Sequence, residues 1–170
     1  MNPFEVSRAL KNLTLIVDTR EQDTDRLRRR IRQTGLSFVR QKLDFGDYSA
    51  KTTLDNGTEF DISSSVSIER KMNLDELCAC YCKDRKRFTR EFERAKSAGA
   101  KVYLLIENAN WEKAYNGSYR SKMSPQALTA SLFAWLARYN CQIIFCKEET
   151  SGKIIREILY REMKERLENG

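Results

Sequence analysis

Histidine is absent from all 170 residues. This removes histidine general bases, Ser-His-Asp triads and His-ligated zinc from the chemistry available to the chain. Proline occurs only at Pro3 and Pro125, and the seven glycines are scattered, so nothing marks a linker between domains. There is no internal repeat or low-complexity tract. No apolar run reaches the ~18 residues of a membrane-crossing helix, so no membrane partner is expected. The start, Met1-Asn2-Pro3-Phe4-Glu5, lacks the basic-then-apolar pattern of a signal peptide. Cysteines number five, an odd count that fits a reducing compartment better than a disulfide scaffold; the cytoplasm is expected. With no histidine to complete a zinc site, Cys78, Cys80 and Cys82 read as buried small-residue packing.

What the chain has instead is charge. Lysine and arginine total 31 against 24 acidic residues, a formal charge of +7, in a composition that is 41% hydrophobic and therefore globular. The length suits one domain spanning 1–170, with a core of about 13–165. The basic excess favours a polyanionic partner. Two clusters carry it. Arg26, Arg28, Arg29, Arg30 and Arg32 form either a track for a nucleic-acid backbone or a solvated helix face. Lys83, Arg85, Lys86, Arg87, Arg90 and Arg94 interleave with Phe88 and Phe92, and helical spacing turns those aromatics with Ala95 into the core, leaving the cations outside.

The hydrophobic pattern predicts a mixed order of elements. Leu13 to Asp18 reads as a buried strand ending in a carboxylate, and Asp23 or Thr24 caps a helix through about Gln33, with Gly35 beyond its end. Phe38 to Leu43 reads as a strand. Tyr48 to Leu54 and Thr58 to Ile62 form a hairpin about Asn56-Gly57. A strand over Val66 to Arg70 precedes a helix capped by Asn73, which runs to about Ser97 with a break near Lys83-Asp84. Lys101 to Glu107 is a buried strand, and Asn108 to Lys122 a loop with little regular structure. Ser124-Pro125 opens a helix, Gln142 to Cys146 is a short strand, and Ser151 starts the last helix. An α/β domain with a mixed central sheet flanked by helices follows from this order.

The chemistry concentrates in Ile68-Glu69-Arg70-Lys71. Strand alternation sends Glu69 and Lys71 to one side and Arg70 to the other. With Asp47 on a neighbouring strand, two carboxylates and an ammonium would share one site. Such a set can hold a divalent cation against a phosphate, and the absence of histidine favours an oxygen-ligated ion such as Mg2+.

These residues resemble a known family. Val17-Asp18-Thr19-Arg20-Glu21, then Gly46-Asp47-Tyr48, then Glu69-Arg70-Lys71 and, after three intervening residues, Asp75 look like the nuclease domain of the XPF/Hef family. These are structure-specific endonucleases with a restriction-endonuclease-like core, and the likeness covers roughly residues 13 to 165, continuing through Arg87 and Leu104 to Glu107. The resemblance implies Mg2+, with Mn2+ as a substitute, held by Asp47, Glu69 and the Arg70 main-chain carbonyl, with Lys71 as the catalytic lysine. Asp18, Arg20, Glu21, Asp75 and Arg87 would line the site, Asp18 either supporting the first ion or holding a second. Arg20, Arg87, Lys83, Arg85, Lys86 and Arg90 would meet DNA that is branched, flapped or forked. It further implies a homodimer through the C-terminal helices. Family members usually carry a tandem helix-hairpin-helix module that is not read in these residues, so DNA targeting would fall to the nuclease surface, a dimer or a separate partner. The expected setting is a prokaryotic or phage-infected cell. A non-catalytic DNA-binding module and a nuclease with little structure selectivity are the rival readings.

Overall fold

Apolar runs that meet polar turns bound the strands Thr14–Val17 and Lys101–Glu107, and the computed structural model, which describes residues 1–170, gathers seven strands into one sheet. The elements in order are α1 (Pro3–Lys11), β1 (Thr14–Val17), α2 (Asp25–Thr34), β2 (Ser37–Arg40), β3 (Tyr48–Thr53), β4 (Glu59–Asp61) and β5 (Val66–Lys71). They continue with α3 (Leu74–Cys82), α4 (Arg85–Ser97), β6 (Lys101–Glu107), α5 (Trp111–Asn116), α6 (Pro125–Arg138), β7 (Cys141–Cys146) and α7 (Glu148–Asn169). The strand order is β2-β1-β3-β5-β6-β7, with β4 paired to β3 off this path. β1 runs parallel to β2 and antiparallel to β3, β5 is antiparallel to β3, and β5, β6 and β7 are parallel. This is the mixed sheet expected from the element order.

Side chains alternate across β5 and β6, so one sheet takes two cores. Ile68, Tyr103 and Leu105 join Leu10 of α1, Leu27 and Ile31 of α2, and Ile155, Leu159 and Met163 of α7. Leu104 and Ile106 join Leu77 and Tyr81 of α3, Phe88 and Phe92 of α4, and Leu128, Leu132 and Trp135 of α6 on the other face. An aromatic cluster pins α4 there. Phe88 stacks on Trp135 with centroids 5.5 Å apart, and Phe92 meets the same indole edge-on at 5.8 Å. Such pairs add about 1 kcal/mol each beyond area burial.

Several elements differ from expectation. The N-terminus forms α1, with Asn2 Oδ1 accepting from the Phe4 and Glu5 amides, Glu5 reaching back to the Asn2 amide, and Pro3 in the first turn. The expected loop after Asn108 contains α5, capped by Asn110 and ended by Gly117. α7 starts at Glu148 rather than Ser151, whereas the break between α3 and α4 falls at Lys83-Asp84, where the sequence places it. β2 covers Ser37–Arg40 and not the stretch to Leu43. Cys82 is exposed, unlike the buried Cys78 and Cys80. No helix is long and apolar enough to cross a membrane.

Candidate active site

The Gly46-Asp47 turn places its carboxylate by backbone bonds alone. The Asp47 amide donates to the Ile68 carbonyl at 2.8 Å, and the Asp18 amide donates to the Asp47 carbonyl at 2.9 Å, so Asp47 is held between β1 and β5. The Arg70 amide then donates to Asp47 Oδ2 at 2.7 Å. Gly46 makes this approach possible: its φ is +76°, and a Cβ there would lie 2.6 Å from Ser67 Oγ. Because Ile68 C=O and Arg70 N–H both point toward Asp47, strand alternation puts the Arg70 carbonyl on that same edge, past the start of β3.

Across the strand, Glu69 and Lys71 share a face. Lys71 Nζ donates to Glu69 Oε1 at 2.7 Å and lies 5.2 Å from the centre of the Phe88 ring. Burial disfavours the Lys71 ammonium, but the charges of Glu69 and Asp47 outweigh it and raise its pKa. Asp47 is pushed well above the usual carboxylate range, first by burial, then by the charges of Glu69 and Glu21, against the opposing pull of Lys71 and the Arg70 amide. Glu91 of α4 is raised too, by burial and by Glu69. Carboxylates are crowded together here, and a cation would relieve that repulsion.

An open cleft of about 680 Å3 brings together Arg20, Glu21, Asp47, Glu69, Arg70, Lys71 and Arg87, with Glu76 and Glu91 on its walls. Two expected residues are placed elsewhere. Asp18, 1% exposed, lies beneath the cleft. Its Oδ1 accepts from the Arg20 amide at 2.9 Å and from Arg20 Nε at 2.6 Å, and its Oδ2 from the Leu43 amide at 2.7 Å. Asp75 lies in the first turn of α3 and lines a neighbouring cleft, not this one. Lys83, Arg85, Lys86 and Arg90 surround a third cleft at the α3–α4 turn, which touches the first through Arg87.

The Arg70 side chain lies on the opposite face, where its Nη1 donates to Glu107 Oε2 at 2.9 Å. Glu107 Oε1 accepts from Arg30 Nε at 3.1 Å, and Arg30 Nη1 donates to Tyr48 Oη at 3.1 Å. Arg30 is only 4% exposed and Glu107 1%, so Arg30 belongs neither to a nucleic-acid track nor to a solvated face. Glu91 and Glu107 were not among the expected site residues. Glu91 falls one helical turn after Arg87, a spacing that the sequence displays. The role of Glu107 depends on the register of β5 against β6, which pairs Arg70 with Leu105.

The acidic donors of the cleft are carboxylates, and no cysteine lines it. No three His, Cys, Asp or Glu side chains converge at ligand distance. The residues present fit a hard cation that takes Asp47, Glu69 and a main-chain carbonyl and keeps several waters, which is the habit of Mg2+.

The profile of the ERCC4 domain family matches residues 17–158. Among solved structures, XPF from Aeropyrum pernix is similar with a TM-score of 0.61 at 18% identity, over 92% of this chain and 62% of that one. XPF from Aeropyrum pernix in complex with DNA is similar with a TM-score of 0.61 at 19% identity, over 90% of this chain and 66% of that one. The chain thus spans somewhat less than two thirds of either structure's length. At these identities the likeness speaks for the fold, a restriction-endonuclease-like α/β core as expected. No curated protein sequence matches the chain.

Proposed function

The chain belongs to the ERCC4 domain family of XPF-like nuclease domains, and from that premise we propose that it is a divalent-metal-dependent DNA endonuclease. The observation that carries the reading is the convergence of Asp47, Glu69 and Lys71, with the Arg70 amide bonded to Asp47, on the floor of one cleft. Asp47, Glu69 and the Arg70 carbonyl would hold Mg2+, or Mn2+ in its place. A bound ion there supplies a more acidic water and neutralises charge on the scissile phosphate and the leaving oxygen. Lys71 donates from its ammonium to orient the attacking water or to hold the scissile phosphate. Arg20 and Arg87 face phosphate oxygens from either wall, and Asp18 keeps Arg20 in place through two hydrogen bonds.

The substrate we propose is branched, flapped or forked DNA, met in recombination, repair or replication. The exposed cations at the α3–α4 turn support a polyanion that extends beyond the cleft. We further propose that the protein works as a homodimer. Its support is an edge of the sheet, β7, whose Ile143, Ile144, Phe145 and Cys146 are only partly covered.

The test offers labelled flap, fork, four-way junction and linear duplex DNA with Mg2+ or Mn2+. Cleavage by the wild type, lost in Asp47→Ala with binding retained, is the expected result. No cleavage of any substrate with either metal, while Asp47→Ala binds as well as wild type, would overturn the enzyme reading. Equal cutting of linear duplex would remove the structure selectivity and leave the chemistry.

A further inference from the structure

Beside the cleft of Asp47 and Lys71 lies another of about 780 Å3, between α3 and the segment 117–123 that joins α5 to α6. Met72 and Glu76 form a wall common to both. The cleft of about 830 Å3 at the α3–α4 turn shares Lys83 with the second and Arg87 with the first. A continuous path therefore leads from the catalytic residues to Lys83, Arg120 and Lys122. All three cations are exposed, and none enters an ion pair, whereas Arg20, Arg30, Arg70 and Lys71 are each tied to a carboxylate.

The loop that carries two of them is fixed. Asp75 Oδ1 accepts from the Arg120 and Ser121 amides, both at 2.8 Å. Tyr119 Oη donates to the Met123 carbonyl at 2.8 Å, and the Met123 amide to Ser121 Oγ at 3.2 Å. A loop braced this way holds its cations in place before any ligand arrives, which lowers the ordering cost of binding.

We propose that this second cleft grips the phosphates of the DNA strand where it continues past the scissile bond. Lys83, Arg120 and Lys122 are its phosphate contacts, and Asp75 is a positioning residue that fixes the loop. This rests on the nuclease reading above and assigns a DNA arm to a surface outside the catalytic residues. The grip lies on the far side of the Met72 and Glu76 wall from Asp47 and Lys71.

The experiment measures binding of a labelled flap in EDTA across a salt series, and cleavage separately in Mg2+. In Arg120→Gln/Lys122→Gln the salt slope falls by about 2, one contact's worth for each cation, affinity falls about tenfold, and KM rises with it. Asp75→Ala follows the double variant. Asp75→Asn, whose carbonyl oxygen still accepts two amides, stays within about twofold of wild type in affinity and kcat. A metal-binding carboxylate would not tolerate that change. Trimming the DNA back toward the cut, on one side only, abolishes the difference between wild type and double variant. Bound DNA also slows alkylation of Cys82, which lines both the second and third clefts. An unchanged slope in the double variant, or an Asp75→Asn protein as defective as Asp75→Ala, overturns the proposal. Affinity and thiol protection are read without cleavage. A protein that binds in this way and cuts nothing sinks the nuclease reading alone; one that cuts with an unchanged slope sinks only the second cleft.

Discussion

Lys71 sits in a pocket that keeps it charged: Glu69 at 2.7 Å, Asp47 nearby and the Phe88 ring beneath it. An ammonium so placed has most to offer where negative charge develops on a reacting phosphate. Lys71→Ala is therefore expected to lower kcat by about 100-fold or more while DNA affinity stays within a few-fold, read by single-turnover cleavage and by binding in EDTA. A large loss of affinity with kcat retained would make Lys71 a docking residue. This part of the geometry was legible in the sequence, because strand alternation alone puts Glu69 and Lys71 together and sends Arg70 away. The partners of Arg70 were not. Arg30 looks like any other member of a basic helix, and its burial against Glu107 follows from α2 packing over the sheet face that Arg70 shares. Asp75 failed as a cleft residue for a similar reason. Its position in the motif says that it is near, but only the path of the 117–123 segment shows that its oxygen is spent on two backbone amides.

At the scale of elements, the strands were easier to read than the short helices. β5 and β6 are apolar runs ended by charged residues, and Asn56-Gly57 marks the β3–β4 turn, so the centre of the sheet is visible in one dimension. α1 was missed although its capping box and Pro3 are printed in the first five residues, because its apolar face is only Val6, Ala9 and Leu10. α5 is six residues long and takes its shape from Asn110 and Gly117 at its ends. One link between elements has a pH signature. Glu162 of α7 accepts from Lys101 Nζ at 2.8 Å and from Tyr103 Oη of β6, and also pairs with Arg166. Burial would raise its pKa, but the bonds from Lys101, Tyr103 and Arg166 prevail and lower it below the ordinary value of 4.5. The folded protein thus holds this carboxylate ionised more firmly than the unfolded chain does. The resulting stability is complete above about pH 4.5 and is lost as pH falls through the lower, folded value. Glu162→Gln is expected to cost about 1 kcal/mol at neutral pH, allowing for the partial solvation of its partners, and the cost should shrink toward zero in more acidic buffer. Urea titrations of both proteins at several pH values check this; a pH-independent difference would assign the loss to packing.

At the scale of the whole molecule, the two ends of the main strand path differ in character. β2 ends one side with Arg40, a charged residue of the kind that discourages edge pairing. β7 ends the other with Ile143, Ile144, Phe145 and Cys146 partly uncovered between α6 and α7. Phe133 of α6 extends this apolar strip, 48% exposed while stacked on Trp111 with ring centres 5.1 Å apart. A strand edge flanked by apolar side chains is a hazard unless something covers it, and in the proposed homodimer a second copy of the chain, related by a two-fold axis, would cover both β7 edges at once. Such a dimer would also set two catalytic clefts at a fixed separation, which suits DNA with more than one arm. Charge placed at the centre of the strip should therefore break the proposed dimer without touching either core, since Phe133 belongs to neither cluster of buried residues. Light scattering on the wild type is expected to give twice the chain mass, and Phe133→Glu the mass of one chain, with thermal unfolding little changed. A wild type that stays monomeric at the highest soluble concentration would remove the dimer. Cleavage of branched DNA by such a monomer would then leave a single cleft, together with the basic path beside it, as the only surface able to select the substrate.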